Sequence, residues 1–276
     1  MELNLDLKEI CKDIRCDIVT SIGHVGVGHI GGSLSIVELL AVLYFEEMNI
    51  DPQNPSMPGR DRFICSKGHA GPALYAALAN RGYFDREKLL TLNDDGSDLP
   101  SHCDMHHTIG VDMTTGSLGQ GFSCALGAAL GSKLVEDGAT IYTLIGDGES
   151  QEGQVWEAAM FAAAKKLDNL IAFTDYNGYQ IDDAVENICD LAPLGDKWAA
   201  FGWNVIDVED GNDVEQVSAA VKEAKTMRGS GRPTMVILNT LKGCGVQWIV
   251  DLGAGNHNTN VNEEQAKAAI AEIRGE

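Results

Sequence analysis

Positive charge is scarce in this 276-residue chain: 20 Lys and Arg stand against 41 Asp and Glu, for a formal net charge of -21. A field of that sign repels phosphate backbones and anionic lipid headgroups alike, which argues against nucleic acid and membrane surfaces as partners. Any positive charge that receives an anionic substrate must therefore be local: a metal, a helix N-terminus or a partner's arginines. No apolar run approaches membrane-spanning length. The opening stretch MELNLDLKEICKDIR alternates charged and apolar residues, lacking both the apolar centre of a signal peptide and the acid-poor character of a transit peptide. Cysteine pairs are missing too: Cys11, Cys16, Cys65, Cys103, Cys124, Cys189 and Cys244 are scattered singly, odd in number and without metal-ligand spacing. They read as small buried hydrophobes, reduced in a cytoplasm. The absence of a G-x-x-x-x-G-K-[ST] loop argues against nucleotide hydrolysis. Gly26 to Gly31 does fit G-x-G-x-x-G, but it follows a helical pattern rather than a strand, so it carries no nicotinamide reading.

What the chain does have is 44% apolar residues, enough for a substantial core, and a regular order of elements. Apolar positions Ile10, Ile14, Ile18 and Val19 predict an opening helix, ended by the Gly-rich link from Gly23 to Gly32. A second helix is expected from a capping box, Ser35 to Glu38, through LLAVLYFEEM, stopped by Pro52, Pro55 and Pro58. A short strand RFICS and a helix over Ala73 to Arg81 follow. Beyond these, helices at 119–136, 151–166, 194–201 and 213–227 alternate with strands ATIYTLI, LIAFTD, NVIDV and TMVILNT. Gly253 to Val261 reads as a polar loop before a last helix, NEEQAKAAIAEIRG. Such alternation predicts an α/β fold whose mostly parallel sheet is covered by helices on both faces. With no Pro/Ser-rich or charged linker, residues 1–276 read as one domain.

The strongest constellation is Gly146-Asp147-Gly148 at the C-terminal end of ATIYTLI, with Asn177 just past LIAFTD, thirty positions after Asp147. In a parallel sheet both lie on the edge where ligands bind and where helix N-termini offer amides to a phosphate. One carboxylate with neutral oxygens suits magnesium, leaving coordination sites for diphosphate and water; a backbone carbonyl near Tyr179 is a third donor. Taken singly, an Asp-Gly turn and a loop asparagine are common and need no ligand.

GDG followed about thirty residues later by Asn resembles the signature of thiamine diphosphate enzymes, and four further stretches resemble transketolase: GHIGGSLS (28–35), RDRFICSKGHAGPALY (60–75), TTGSLGQG (114–121) and GDGESQEGQVWEAA (146–159). The likeness runs from about residue 8 to residue 258 and covers the N-terminal, diphosphate-binding part of a full transketolase. It implies the thiamine diphosphate binding fold of the diphosphate-binding type. It assigns Asp147, Asn177 and the Tyr179 carbonyl to Mg2+. To the cofactor it assigns His69, Gly116, Ser117, Leu118, Gly146, Asp147, Gly148, Glu149, Asn177 and His257. It also makes His29, His69, His102 and His257 the lining of the channel to the reactive ring, a role suited to a side chain that donates or accepts a proton near neutral pH. Glu152 resembles a glutamate in a hydrogen-bond network across the subunit interface; it equally reads as a favourable acid in a first helical turn. His24, His106 and His107 fall outside the matched motifs.

The resemblance implies transfer of a two-carbon ketol unit from a ketose or ketose phosphate to an aldose or aldose phosphate through a carbanion held on thiamine diphosphate. The pyrimidine-binding and C-terminal domains are expected on a partner, the C-terminal transketolase subunit, in a heterotetramer. Three departures from the family pattern, Ile30 after the first channel histidine, SHCD around His102 and Asn258 after His257, bear on substrate identity. The rival readings are the α subunit of another thiamine diphosphate enzyme such as a 2-oxo acid dehydrogenase, a transketolase-like enzyme for an unusual sugar, and a non-catalytic binding protein that kept the fold.

Overall fold

The computed structural model describes residues 6–276; the first five residues of the charge-alternating N-terminal stretch lie outside it. Helix α1 (Leu7–Val25) is started by the Asp6 carboxylate, which accepts from the amides of Lys8 and Glu9. It is stopped at Gly26, whose φ of +91° is the left-handed conformation that glycine adopts without strain. Strand β1 (Val27–Gly28) and two short helices, α2 (Gly31–Leu34) and α3 (Val37–Val42), follow. The expected capping box does not form. Ser35 instead donates to Gly32 and to the buried Asp175 carboxylate, and Glu38 pairs with Arg15 at 2.7 Å. Charge-assisted bonds away from water outweigh a local cap. The expected long helix ends in a widened turn, with the Met48 amide bonded back five residues to Leu43.

Strand β2 (Arg62–Cys65), helix α4 (Gly71–Arg81) and helix α5 (Gln120–Val135) lead into β3 (Ile141–Gly146), α6 (Gly153–Ala164), β4 (Leu170–Tyr176), α7 (Val185–Cys189), α8 (Leu194–Ala200), β5 (Asn204–Val208), α9 (Val214–Thr226) and β6 (Thr234–Asn239). Five strands form one all-parallel sheet in the order β2-β3-β4-β6-β5. Side chains alternate across it. Phe63, Tyr142, Leu144, Ile171, Phe173, Val236 and Leu238 enter the core shared with α1, α3, α4 and α9. Ile64, Ile141, Ile145, Leu170, Ala172, Met235 and Ile237 enter the one beneath α5, α6 and α8. The two-faced α/β architecture expected from the sequence is thus the one observed.

The tail holds α10 (Gln247–Val250), strand β7 (Thr259–Asn260) and α11 (Glu263–Arg274). In place of the expected loop, β7 pairs antiparallel with β1, Val27 opposite Asn260 and Gly28 opposite Thr259. A capping box does occur here, between Asn262 and Gln265 at the start of α11. Cys11, Cys16, Cys65 and Cys103 are buried as expected, whereas Cys124 and Cys189 are exposed; none is paired. Among the described residues no helix is long and apolar enough to cross a membrane.

Candidate active site

The loops leaving the C-terminal ends of β2, β3, β4 and β6 meet at one edge of the sheet, the edge where open parallel sheets bind ligands. They enclose a cavity of about 480 Å³. Every residue assigned to metal, cofactor or channel from the sequence lines it except Ser117, whose side chain is exposed and whose carbonyl receives the Gln120 amide near the start of α5.

Asp147 is 3% exposed at the end of β3. Its carboxylate accepts from the Gly148 amide at 2.7 Å and the Gly178 amide at 2.7 Å. The second bond depends on Gly178 turning with φ of +81°, a conformation that a side chain disfavours. Burial, reinforced by the nearby Asp175, pushes the Asp147 carboxyl up to about 6 despite these two donors. Asn177 gives its side-chain Nδ2 to Asp175 at 2.7 Å and receives the Tyr179 amide on Oδ1 at 3.2 Å. The Tyr179 carbonyl accepts from Lys242 Nζ at 3.1 Å.

These oxygens suit a hard divalent cation: one carboxylate, one side-chain amide and one peptide carbonyl. The Tyr179 carbonyl already accepts from Lys242, a contact that a bound cation would share or displace. Among the described residues no three His, Cys, Asp or Glu side chains converge on a metal position. Glycines keep the walls thin. A Cβ on Gly148 would lie 3.0 Å from the Gln180 side chain, and one on Gly116 would lie 3.3 Å from the His102 ring.

The four channel histidines form one cluster. The His29 ring centroid lies 5.4 Å from His69, 5.6 Å from His102 and 5.4 Å from His257, and His69 lies 5.0 Å from His257. Burial, aided by Lys242, lowers His257 to about 4. Burial with Lys67 carries His69 well below the ordinary imidazole value, and burial with His102 lowers His29. Near pH 7 these three rings are neutral, each with one donor and one acceptor nitrogen. His102 is exposed at the mouth. His24, His106 and His107 are exposed and line no part of the cavity.

Glu149 carries contacts beyond its cavity position, and Glu152 differs from its expected setting. Glu149 borders the cavity, but its carboxylate is engaged by Ser66 Oγ, the Gly119 amide at 2.7 Å and the Gly146 amide at 3.0 Å. It braces the loops that meet here. Glu152 stands one residue before α6 rather than in its first turn, with an extended backbone, no capping bond and an exposed side chain. Sequence reasoning missed Lys67, Asp175 and Lys242. Lys242 is 3% exposed, and burial lowers it to about 8 although Asp147 opposes that shift. The available signal was position: Lys67 and Lys242 each stand two or three residues past a strand end on the edge already chosen for the ligand.

A parallel sheet whose strand ends gather hard oxygens, buried ammonium groups and neutral imidazoles defines an enzyme domain built around an anionic cofactor. Residues 7–272 match the thiamine diphosphate binding domain of transketolase, and the chain belongs to that family. It is 55% identical to the 6-deoxy-6-sulfo-D-fructose transketolase subunit SqwG of Clostridium sp. (strain MSTE9), over 100% of this chain and 98% of that one. It is 39% identical to an apulose-4-phosphate transketolase subunit of Actinobacillus succinogenes, over 98% and 97% respectively. Among solved structures, transketolase from Leishmania mexicana superposes with a TM-score of 0.90 at 30% identity, covering 98% of this chain and 41% of that one. The chain thus spans about two fifths of the length of that transketolase.

Proposed function

We propose that this chain is the diphosphate-binding subunit of a two-chain, cytoplasmic transketolase that moves a two-carbon ketol unit from a ketose to an aldose. The observation that carries the reading is the convergence, on one cavity, of the Asp147, Asn177 and Tyr179 oxygens with four clustered histidines. Asp147, Asn177 and the Tyr179 carbonyl hold Mg2+. Lys242, His69, His257 and the loops around Gly116, Leu118, Gly146 and Gly148 face the diphosphate. Bound thiamine diphosphate supplies the electron sink that lets a two-carbon fragment pass between sugars. The protein's part is positioning and proton handling. His69 and His257, neutral near pH 7, offer a donor on one nitrogen and an acceptor on the other without adding charge. His29 and His102, nearer the mouth, meet sugar hydroxyls. Glu152, exposed beside the cavity, is the residue we assign to a hydrogen-bond network with the partner.

The donor is a ketose with an anionic terminus. The 55% identical relative is named for a sulfonated ketose and the 39% identical one for a phosphorylated one. The net charge of -21 makes this chain a poor source of the cation that such a terminus needs, so the partner, a C-terminal transketolase subunit in a heterotetramer, brings it. The test is ketol transfer from 6-deoxy-6-sulfo-D-fructose and from fructose 6-phosphate, with partner titrated into a fixed amount of this chain. Activity that saturates at an equimolar ratio supports the reading. Turnover by this chain alone overturns the partner requirement, and no transfer from either ketose overturns the substrate class.

A further inference from the structure

Beneath the cavity floor lies a polar cluster with no role so far. Asp175, near the end of β4, is 0% exposed, yet side chains from four separate positions donate to it. Lys67 Nζ reaches Oδ2 at 2.6 Å, Asn177 Nδ2 the same oxygen at 2.7 Å and Ser35 Oγ the same oxygen at 2.8 Å, while Thr240 Oγ1 bonds to Oδ1 at 2.5 Å. Lys67 is held from its other side by the Gly32 carbonyl at 2.7 Å. The Asp147 amide also donates to the Asp175 carbonyl at 3.2 Å, which ties the β3 and β4 strand ends together.

A buried ion pair contributes little net stability compared with an apolar pair of the same shape, so stability alone does not account for the cluster. What it fixes is the Asn177 amide. The Asp175 carboxylate accepts but does not donate, and the Tyr179 backbone amide donates but does not accept. Both neighbours therefore agree on which side of Asn177 is nitrogen and which is oxygen. An amide free to turn over would present its NH2 group to a cation.

We propose that Asp175 is a positioning residue for the metal: clamped by Lys67, Ser35 and Thr240, it locks Asn177 with its oxygen toward the cation seat. Metal affinity is then set partly by groups just past the ends of β2, α2 and β6 that never touch the ion. The proposal rests on reading Asp147, Asn177 and Tyr179 as the metal ligands.

The test is Mg2+ titration calorimetry at saturating thiamine diphosphate on the full chain, by itself and with the partner present, alongside electron paramagnetic resonance of bound Mn2+ and thermal melting without metal. In Asp175→Asn only the Tyr179 amide still sets the Asn177 orientation, and Mg2+ binding weakens about 10- to 100-fold, the range seen when a partner of a metal ligand is removed. The Mn2+ spectrum changes with it, and cofactor affinity recovers at high Mg2+. Should Asp175→Asn fail to fold because Lys67 is left unpaired, Thr240→Val keeps the ion pair while releasing one clamp, and a smaller loss of Mg2+ affinity is expected. Folded variants with wild-type Mg2+ affinity and an unchanged Mn2+ spectrum overturn the proposal, even if they melt lower. Wild-type protein that binds no Mg2+ in the presence of thiamine diphosphate overturns the ligand assignment itself, and the positioning role with it.

Discussion

Burial holds Asp147 in a state that destabilises the protein without metal. An ordinary aspartate titrates at 3.8, whereas this one is pushed up to about 6 by burial and by Asp175. A raised carboxyl means that the folded state binds its proton more tightly than the unfolded state. Its contribution is therefore most favourable below the unfolded value, declines as pH climbs from 3.8 to about 6, and stays lost above that. At about 1.4 kcal/mol per factor of ten, the difference is about 3 kcal/mol of destabilisation near pH 7. Asp147→Asn removes the buried charge. Its single carbonyl oxygen can keep one of the Gly148 and Gly178 amides but not both, and the orphaned donor costs about 1–3 kcal/mol. The net is between neutral and about 2 kcal/mol of stabilisation, so the metal-free variant melts no lower than wild type and up to about 5 °C higher. Adding Mg2+ and thiamine diphosphate reverses the order, because only wild type gains by mass action. Differential scanning calorimetry of both proteins, with and without cofactor, reads the crossing directly. A metal-free variant melting several degrees below wild type, or one stabilised by the cofactor as much as wild type, would refute the reasoning.

Other substitutions test the rest of the site. His102→Ala should lower kcat more than it weakens cofactor binding, because His102 lies at the mouth rather than at the diphosphate end; wild-type turnover at full cofactor saturation would remove it from the substrate path. His29, His69 and His257 have lowered folded values, so stability should be full above the ordinary imidazole range and fall as pH drops from 6.5 toward about 4, where His257 charges. Asp147 trends the opposite way over much of that range, so the imidazole contribution is read by difference: urea denaturation should show the stability change across it shifted in His257→Asn relative to wild type. Arg15→Met should leave the Glu38 carboxylate buried with only the Asn212 amide as partner and destabilise by about 3–5 kcal/mol, recovered largely in Arg15→Met/Glu38→Leu; chemical denaturation of the single and double variants distinguishes this from a surface ion pair.

The parallel sheet and its ligand edge were legible because β2, β3, β4 and β6 are largely apolar runs bounded by turn residues, and because helix and strand alternate. GDG with a distant Asn was legible for the same reason: spacing along the chain translates directly into adjacency at neighbouring strand ends. What could not be read was anything set by partners far away in sequence. The Ser35 to Glu38 box satisfies every local rule, but Asp175 and Arg15, brought in by the fold, are stronger partners for both residues. Lys67 and Lys242 are invisible to periodicity, since a buried lysine looks like any surface lysine until its surroundings are known. β1 and β7 escaped because two-residue strands carry no alternation to detect.

The short ladder between β1 and β7 has a consequence for when the site comes into being. It fastens Val27 and Gly28 to Thr259 and Asn260, and so delivers His257 to within ring contact of His29 across more than two hundred residues of intervening chain. The sheet, with Asp147 and Asn177 already in place, is complete once β6 has been made, but the histidine cluster is not. During synthesis, where the N-terminal part emerges and folds first, the sheet-end residues Asp147 and Asn177 precede the completed histidine cluster. A nascent chain can thus hold Asp147 and Asn177 in place before it has the full set of imidazoles, which the stretch through β7 completes.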